Sequence, residues 1–215
     1  MSRIPARSSR SGERGAFLLY VEGPRDQGLL EAWARAVSPP LARALPPVTV
    51  ILGGRQPARA LEHFRAARER DATEQGLCVL DRDGRDEALP SAADAPGLEF
   101  FTWGRRHIES YLLVPDAIRR SLRLRADDSR IERFFRSELP ATDDERALRN
   151  LPAKPLFAVH GRLERLLGRP VRPTHVARAM HAGELHADVH ALLGRLRSGL
   201  GILEAEAVMR PQRST

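Results

Sequence analysis

The sequence predicts an α/β protein: a mostly parallel sheet with helices on both faces, followed by a helical C-terminal region. Three observations carry that prediction. Over the first half of the chain, short apolar runs alternate with segments of helix-period hydrophobicity, the pattern of strand–helix–strand crossovers. The runs are continuously apolar instead of alternating with polar residues, as in strands covered on both faces. Beyond Thr102 the apolar spacing is helical throughout.

The first strand is expected at residues 16–21, and a helix at 25–37 follows, with Leu29, Leu30, Trp33 and Val37 on one stripe. Strand two, 48–52, closes on Gly53-Gly54, where the backbone turns or lies close to a ligand. A helix opens at Pro57, since proline is well tolerated in a first turn. Strand three, 76–80, and strand four, 98–102, complete a βαβαβ-type series. Helices are then expected at 106–113, 116–124, 129–139, 155–167, 174–181 and 185–196. Pro140 and Pro152 mark 139–154 as a loop and hinge. The implied organisation is a disordered basic arm at 1–15, an α/β domain at 16–126, a helical subdomain at 127–205 packed on it, and a tail at 206–215.

Two acidic signatures end strands one and three: Val21-Glu22-Gly23-Pro24-Arg25-Asp26 and Leu80-Asp81-Arg82-Asp83-Gly84. Glu22 sits where strand becomes helix, and an extended Asp-x-Asp points Asp81 and Asp83 to one side. In a parallel sheet both signatures lie at the carboxyl edge, where open α/β folds bind ligands. Taken singly, Glu-Gly and Asp-Gly are ordinary turn chemistry. Together, Glu22, Asp26, Asp81 and Asp83 would repel one another unless protonated or neutralised by a cation. Mg2+ or Mn2+ fits such an oxygen-rich set, and paired ions can drive in-line phosphoryl displacement.

With this order of elements, the chain resembles a TOPRIM domain, the Rossmann-like catalytic module of type IA and II topoisomerases, bacterial primases and OLD-family (overcoming lysogenization defect) nucleases. The stretch Arg105-Arg106-His107-Ile108-Glu109-Ser110-Tyr111-Leu112-Leu113 is similar to the Arg-x-Ile-Glu-Asn-Tyr-Leu-Leu segment of OLD-like proteins and their stand-alone relatives, with Ser110 in place of Asn. The resemblance covers residues 17–113 well and the rest loosely. It implies catalytic and metal-binding roles for Glu22, Asp81 and Asp83, with Asp26 a further ligand or a neighbour of the ligands. It also makes Glu109 a fifth carboxylate at the same edge; without it, Glu109 reads as a helix-surface residue paired with Arg105 or Arg106.

Of the 35 basic residues 34 are Arg, and Lys154 is the one Lys. Arginine does not release its proton in a protein, whereas a lysine near metals can act as an acid or track a developing oxyanion. OLD-like nucleases have a functional Lys downstream of the Asp-x-Asp, which makes Lys154 the catalytic candidate; the competing reading is a surface loop lysine. His186 and His190 have zinc-binding spacing, but without a Cys or a His-Glu-x-x-His partner they read as surface histidines.

At 215 residues and 42% hydrophobic content the chain can bury one sizeable core. It has no apolar run of membrane-spanning length and no secretory signal, and its single Cys78 suits a reducing compartment, so a cytoplasmic protein is expected. A net charge of +7 suits a polyanionic partner, while 5% aromatic content argues against base-stacking platforms. Only Tyr20 and Tyr111 are available as tyrosine nucleophiles, each inside an apolar run, which argues against a topoisomerase. One Cys cannot build a primase zinc domain, and the chain lacks a P-loop Gly-Lys-Ser/Thr. The resemblance therefore implies a stand-alone nuclease acting on DNA or RNA, with a separately encoded ABC-type ATPase as partner in antiphage defence; a further reading is a toxin nuclease that acts on a structured RNA such as tRNA. The alternative is a non-catalytic nucleic-acid-binding or assembly subunit. Homo-oligomerisation stays open.

Overall fold

Four short apolar segments pair into one all-parallel sheet in the computed structural model, which describes residues 16–83, 95–141 and 143–202. The strands are β1 (Phe17–Val21), β2 (Thr49–Ile51), β3 (Gln75–Leu80) and β4 (Leu98–Thr102), in the order β2-β1-β3-β4. Leu19 of β1 lies beside Thr49 on one side and Leu77 on the other, and Leu80 pairs with Thr102. The expected arm at 1–15, the tail at 206–215 and Gly84 lie outside the described residues.

The continuous apolar character of β1 and β3 follows from burial on both faces. Phe17, Leu19 and Val21, with Leu77 and Val79, enter the larger core; Tyr20, Cys78 and Leu80 enter a second core with Ala60 and Phe64. Those last two residues belong to α3 (Pro57–Arg70), which covers that face. The opposite face carries α1 (Pro24–Val37), α2 (Pro39–Ala44), α4 (Pro115–Ser121), α8 (Pro173–Ala179) and α9 (Ala187–Gly199). α8 packs against α1 and α4, and α9 against β3. Trp33 and Trp103 meet edge to face at 6.1 Å between centroids, and Trp103 stacks obliquely on Tyr111 at 4.9 Å. Leu19, Trp33, Trp103, Val176 and Leu192 belong to one buried cluster, so the C-terminal helices complete the same core as the sheet.

Several helical expectations are revised. Residues 106–113 form only a 3-10 turn, Ile108–Leu112, because the backbone before it is committed elsewhere: Arg106 N donates to Arg149 O and Ile108 N to the Asp81 carboxylate. The expected helix at 155–167 is split into a 3-10 turn, Lys154–Phe157, and α7 (Arg162–Leu167). His160 is left-handed between them, and a Cβ on Gly161 would lie 2.6–2.8 Å from three carbonyl oxygens, so the chain turns where only glycine fits. The supposed hinge at 139–154 contains α6 (Glu145–Asn150), whose first turn is capped by Asp144 accepting from Ala147 N. The short α2, opened by Pro39 and Pro40, is a helix in the stretch between α1 and β2 for which the sequence pattern named no element. Helix α5 (Arg130–Glu138) and α4 lie close to their expected spans.

Candidate functional site

The carboxyl ends of β1 and β3 bring the two acidic signatures together. Glu22 follows β1, and its Oε1 accepts a 2.7 Å hydrogen bond from the backbone N–H of Asp81, just past β3. Glu22 also accepts on its carbonyl from Gly53 N at 3.0 Å and Gly54 N at 2.8 Å, so the glycine pair after β2 clamps the end of β1. Both glycines have positive φ, 80° and 126°, where a side chain would strain the backbone. The turn expected from Gly53-Gly54 is there, and it grips the residue that bears the first carboxylate.

Asp81 is buried, with Oδ1 accepting from Ile108 N at 2.8 Å and Oδ2 facing Lys154 Nζ at 2.6 Å. Asp83 does not continue an extended strand as expected. Its φ of 50° turns the chain, and its N–H donates to Arg106 O at 3.0 Å. The two aspartates nevertheless share a cation, because Lys154 Nζ lies 3.9 Å from Asp83 Oδ1. Lys154 itself is held by what precedes it: Arg105 grips Glu145 through two nitrogens, and Arg82 donates to Arg149 O and Asn150 Oδ1. A residue distant in sequence is thus carried to the sheet edge by α6.

Asp26 turns back onto its own helix start, Oδ2 accepting from Gly23 N at 2.7 Å. Glu109 is 1% exposed and is paired with Arg25 at 3.1 Å, neither with Arg105 nor with Arg106; its Oε2 is buried without a hydrogen-bond partner among the described residues. The sequence reasoning gave no role to Arg25 or to His107. Buried His107 places Nε2 3.5 Å from Asp83 Oδ1, and its Nδ1 has no hydrogen-bond partner among the described residues. His107 lies within the Arg-Arg-His-Ile-Glu stretch, and that stretch was the one available signal for it. Arg55 donates to Asp81 O at 3.1 Å and stands at the rim beside the Gly53-Gly54 turn.

The electrostatics are those of excess negative charge. Burial, followed by the charge of Asp81, pushes Asp26 up to about 7. Burial likewise raises Glu22, with Asp81 and Asp83 adding to the effect and the Asp81 N–H bond opposing it. Asp81 is raised by burial despite its Lys154 partner. For Lys154, burial favours loss of the proton, but Asp81 beside it prevails and the ammonium is held above its ordinary value. Both members of this pair have raised proton affinity, Asp81 through burial and Lys154 through the acids that face it. Burial and Lys154 together lower His107.

Among the described residues no three His, Cys, Asp or Glu side chains converge on one point at ligand distance. The donor set nonetheless suits a hard divalent cation: oxygen ligands only, acids with raised proton affinity, and a buried Glu109 oxygen without a hydrogen-bond partner among the described residues. Both tyrosines are buried, Tyr20 bonded to His63 and Tyr111 to Asp188 at 2.5 Å, and burial raises both phenols. His186, expected at the surface, is half-buried, lies against the Tyr111 ring and caps α9 by accepting from Asp188 N; His190 is exposed, as expected. Among the described residues no helix is long and apolar enough to cross a membrane. Comparison with protein-family models, curated proteins and solved structures finds no match to this chain.

Proposed function

We propose that this protein is a divalent-metal-dependent nuclease of the TOPRIM kind, hydrolysing phosphodiester bonds of DNA or RNA at the carboxyl edge of its sheet. The observation that carries the reading is the meeting of Lys154 with Asp81 at 2.6 Å, beside Glu22 and Asp83. The chain's one lysine is drawn from far along the sequence to the acids that end its two central strands.

In this reading Glu22, Asp81 and Asp83 hold Mg2+ or Mn2+, with Asp26 and Glu109 adding negative charge around them. The metal would supply Lewis-acid stabilisation of phosphoryl oxygens and a water of lowered pKa. Lys154 faces the charge that grows on the phosphoryl group in the transition state, where its ammonium, kept charged by Asp81, stabilises that charge, and once the contact with Asp81 opens it can protonate the leaving oxygen. Arg55 and Arg82 are placed to position the substrate's phosphates at the rim. The buried tyrosines argue against a covalent tyrosyl intermediate. The resemblance to OLD-like proteins further supports a separately encoded ABC-type ATPase as partner in antiphage defence.

The test is cleavage of supercoiled plasmid and of structured RNA with Mg2+ or Mn2+, against an EDTA control. Cleavage by the wild-type chain that disappears in Asp81→Ala, in Glu22→Ala and in EDTA is expected. Full cleavage by Asp81→Ala would overturn the site. Binding without cleavage under any metal would make the chain a non-catalytic nucleic-acid-binding subunit instead.

A further inference from the structure

In the acidic cluster, most carboxylates are satisfied by groups fixed in the fold. Glu22 and Asp26 accept from backbone N–H groups, and Asp81 takes both a backbone N–H and the Lys154 ammonium. Glu109 differs. It is the most deeply buried of the set at 1% exposure, and the cation that pairs with it is the 56%-exposed Arg25. Arg25 touches it through Nη1, and the second oxygen of Glu109 finds no hydrogen-bond partner among the described residues.

A guanidinium is a planar fork that suits bidentate pairing with carboxylate or phosphate, so a single Nη contact uses it incompletely. Arg25 follows Pro24 in the first turn of α1, which fixes its backbone while its long side chain stays largely in solvent. A buried carboxylate stripped of the cation paired with it is strongly disfavoured, so Arg25 can leave only as another cation arrives. Resting on the reading of this edge as a cation site for nucleic-acid chemistry, we infer that Arg25 is a displaceable counter-ion: it neutralises Glu109 until a divalent cation enters, then turns outward to take a phosphate of the substrate. Cation binding and polyanion binding are thereby coupled, and the coupling is reciprocal.

The experiment measures Mn2+ binding to the full chain by electron paramagnetic resonance, without nucleic acid, in wild type, Arg25→Ala, Glu109→Gln and the double variant. Removing the competing guanidinium should tighten Mn2+ binding by about three- to tenfold, the effect of one nearby unit charge in a partly solvated setting. In the Glu109→Gln background the same change should matter by less than about twofold, since the displaced pair no longer exists. In parallel, anisotropy of short fluorescent DNA and RNA duplexes, with Ca2+ added at constant ionic strength, should show a gain in affinity in wild type that is lost in Arg25→Ala. Truncating Arg25 leaves the buried Glu109 carboxylate without that cation, so a circular dichroism melt of each variant checks that the fold persists at the assay temperature, and Glu109→Gln, which removes the buried charge, supplies the background free of that penalty.

Equal Mn2+ affinity in wild type and Arg25→Ala, or a Ca2+-linked gain that survives Arg25→Ala, overturns the inference while leaving the nuclease reading standing. Absence of any Mn2+ binding to the wild-type chain overturns both.

Discussion

Burial raises the proton affinity of Glu22 and Asp26, and a lone ammonium 2.6 Å from Asp81 leaves the neighbouring carboxylates to add to that effect. Lys154→Ala is therefore expected to bind nucleic acid about normally and to cleave it slowly, with kcat down by about a hundredfold, the usual loss on removing one transition-state donor. Lys154→Arg restores charge without proton donation, so it should recover only part of that loss; single-turnover kinetics with saturating substrate separates the two. The acids also make stability depend on pH. Asp26 has its folded pKa raised to about 7, so its neutral form is the one the fold favours. That contribution is full below the unfolded value and is lost as pH rises through the folded one, so stability falls on going from weakly acidic to alkaline solution. Glu22 and Asp81 are shifted in the same direction and add to the trend. In EDTA, the Tm should rise as pH falls from about 8 to about 5, by roughly 2–4 °C for each kcal/mol of relieved repulsion. Asp26→Asn keeps an acceptor for Gly23 N and removes the charge, so it should raise the Tm at the alkaline end and flatten the profile.

Helix α6 turns a local substitution into a change at the site, because the Arg105–Glu145 pair and the Arg82 contacts to Arg149 and Asn150 fix the chain just before Lys154. Glu145→Ala leaves the buried Arg105 guanidinium with Ser110 O and the Tyr111 ring, and should cost about 1–3 kcal/mol, read as a lowered Tm. It should also slow cleavage more than it weakens substrate binding, since what loosens is the placement of Lys154. The sheet was legible because β1 and β3 are unbroken apolar runs that only a two-sided cover explains, and the acids could be placed by where those runs stop. The helical elements were less legible wherever long-range hydrogen bonds overrode local spacing. Residues 106–113 have helical periodicity, yet Asp81 and Arg149 claim their backbone; 139–154 reads as a proline-bounded loop, yet Arg105 and Asp144 stabilise a helix within it. The pairing of Glu109 with Arg25 joins residues 84 positions apart, and no spacing rule reaches that far.

Across the whole molecule, an acidic edge is set into a chain of net charge +7 and flanked by Arg25, Arg55 and Arg82. In the proposed nuclease, polyanion binding would depend on arginines outside the acidic cluster, and affinity for DNA or RNA should fall steeply with salt. Log affinity against log salt should be linear, with a slope near −0.9 for each duplex phosphate neutralised; a flat line would point to a protein partner in place of a nucleic acid. The same near-absence of lysine has a chemical consequence. Because Lys154 bears the one side-chain amine of the chain, an amine-reactive acylating reagent can mark only that residue and the α-amino terminus. Acylation requires the free base, which contact with Asp81 disfavours, so the fraction labelled, read by mass spectrometry, reports directly on whether that contact is closed or open.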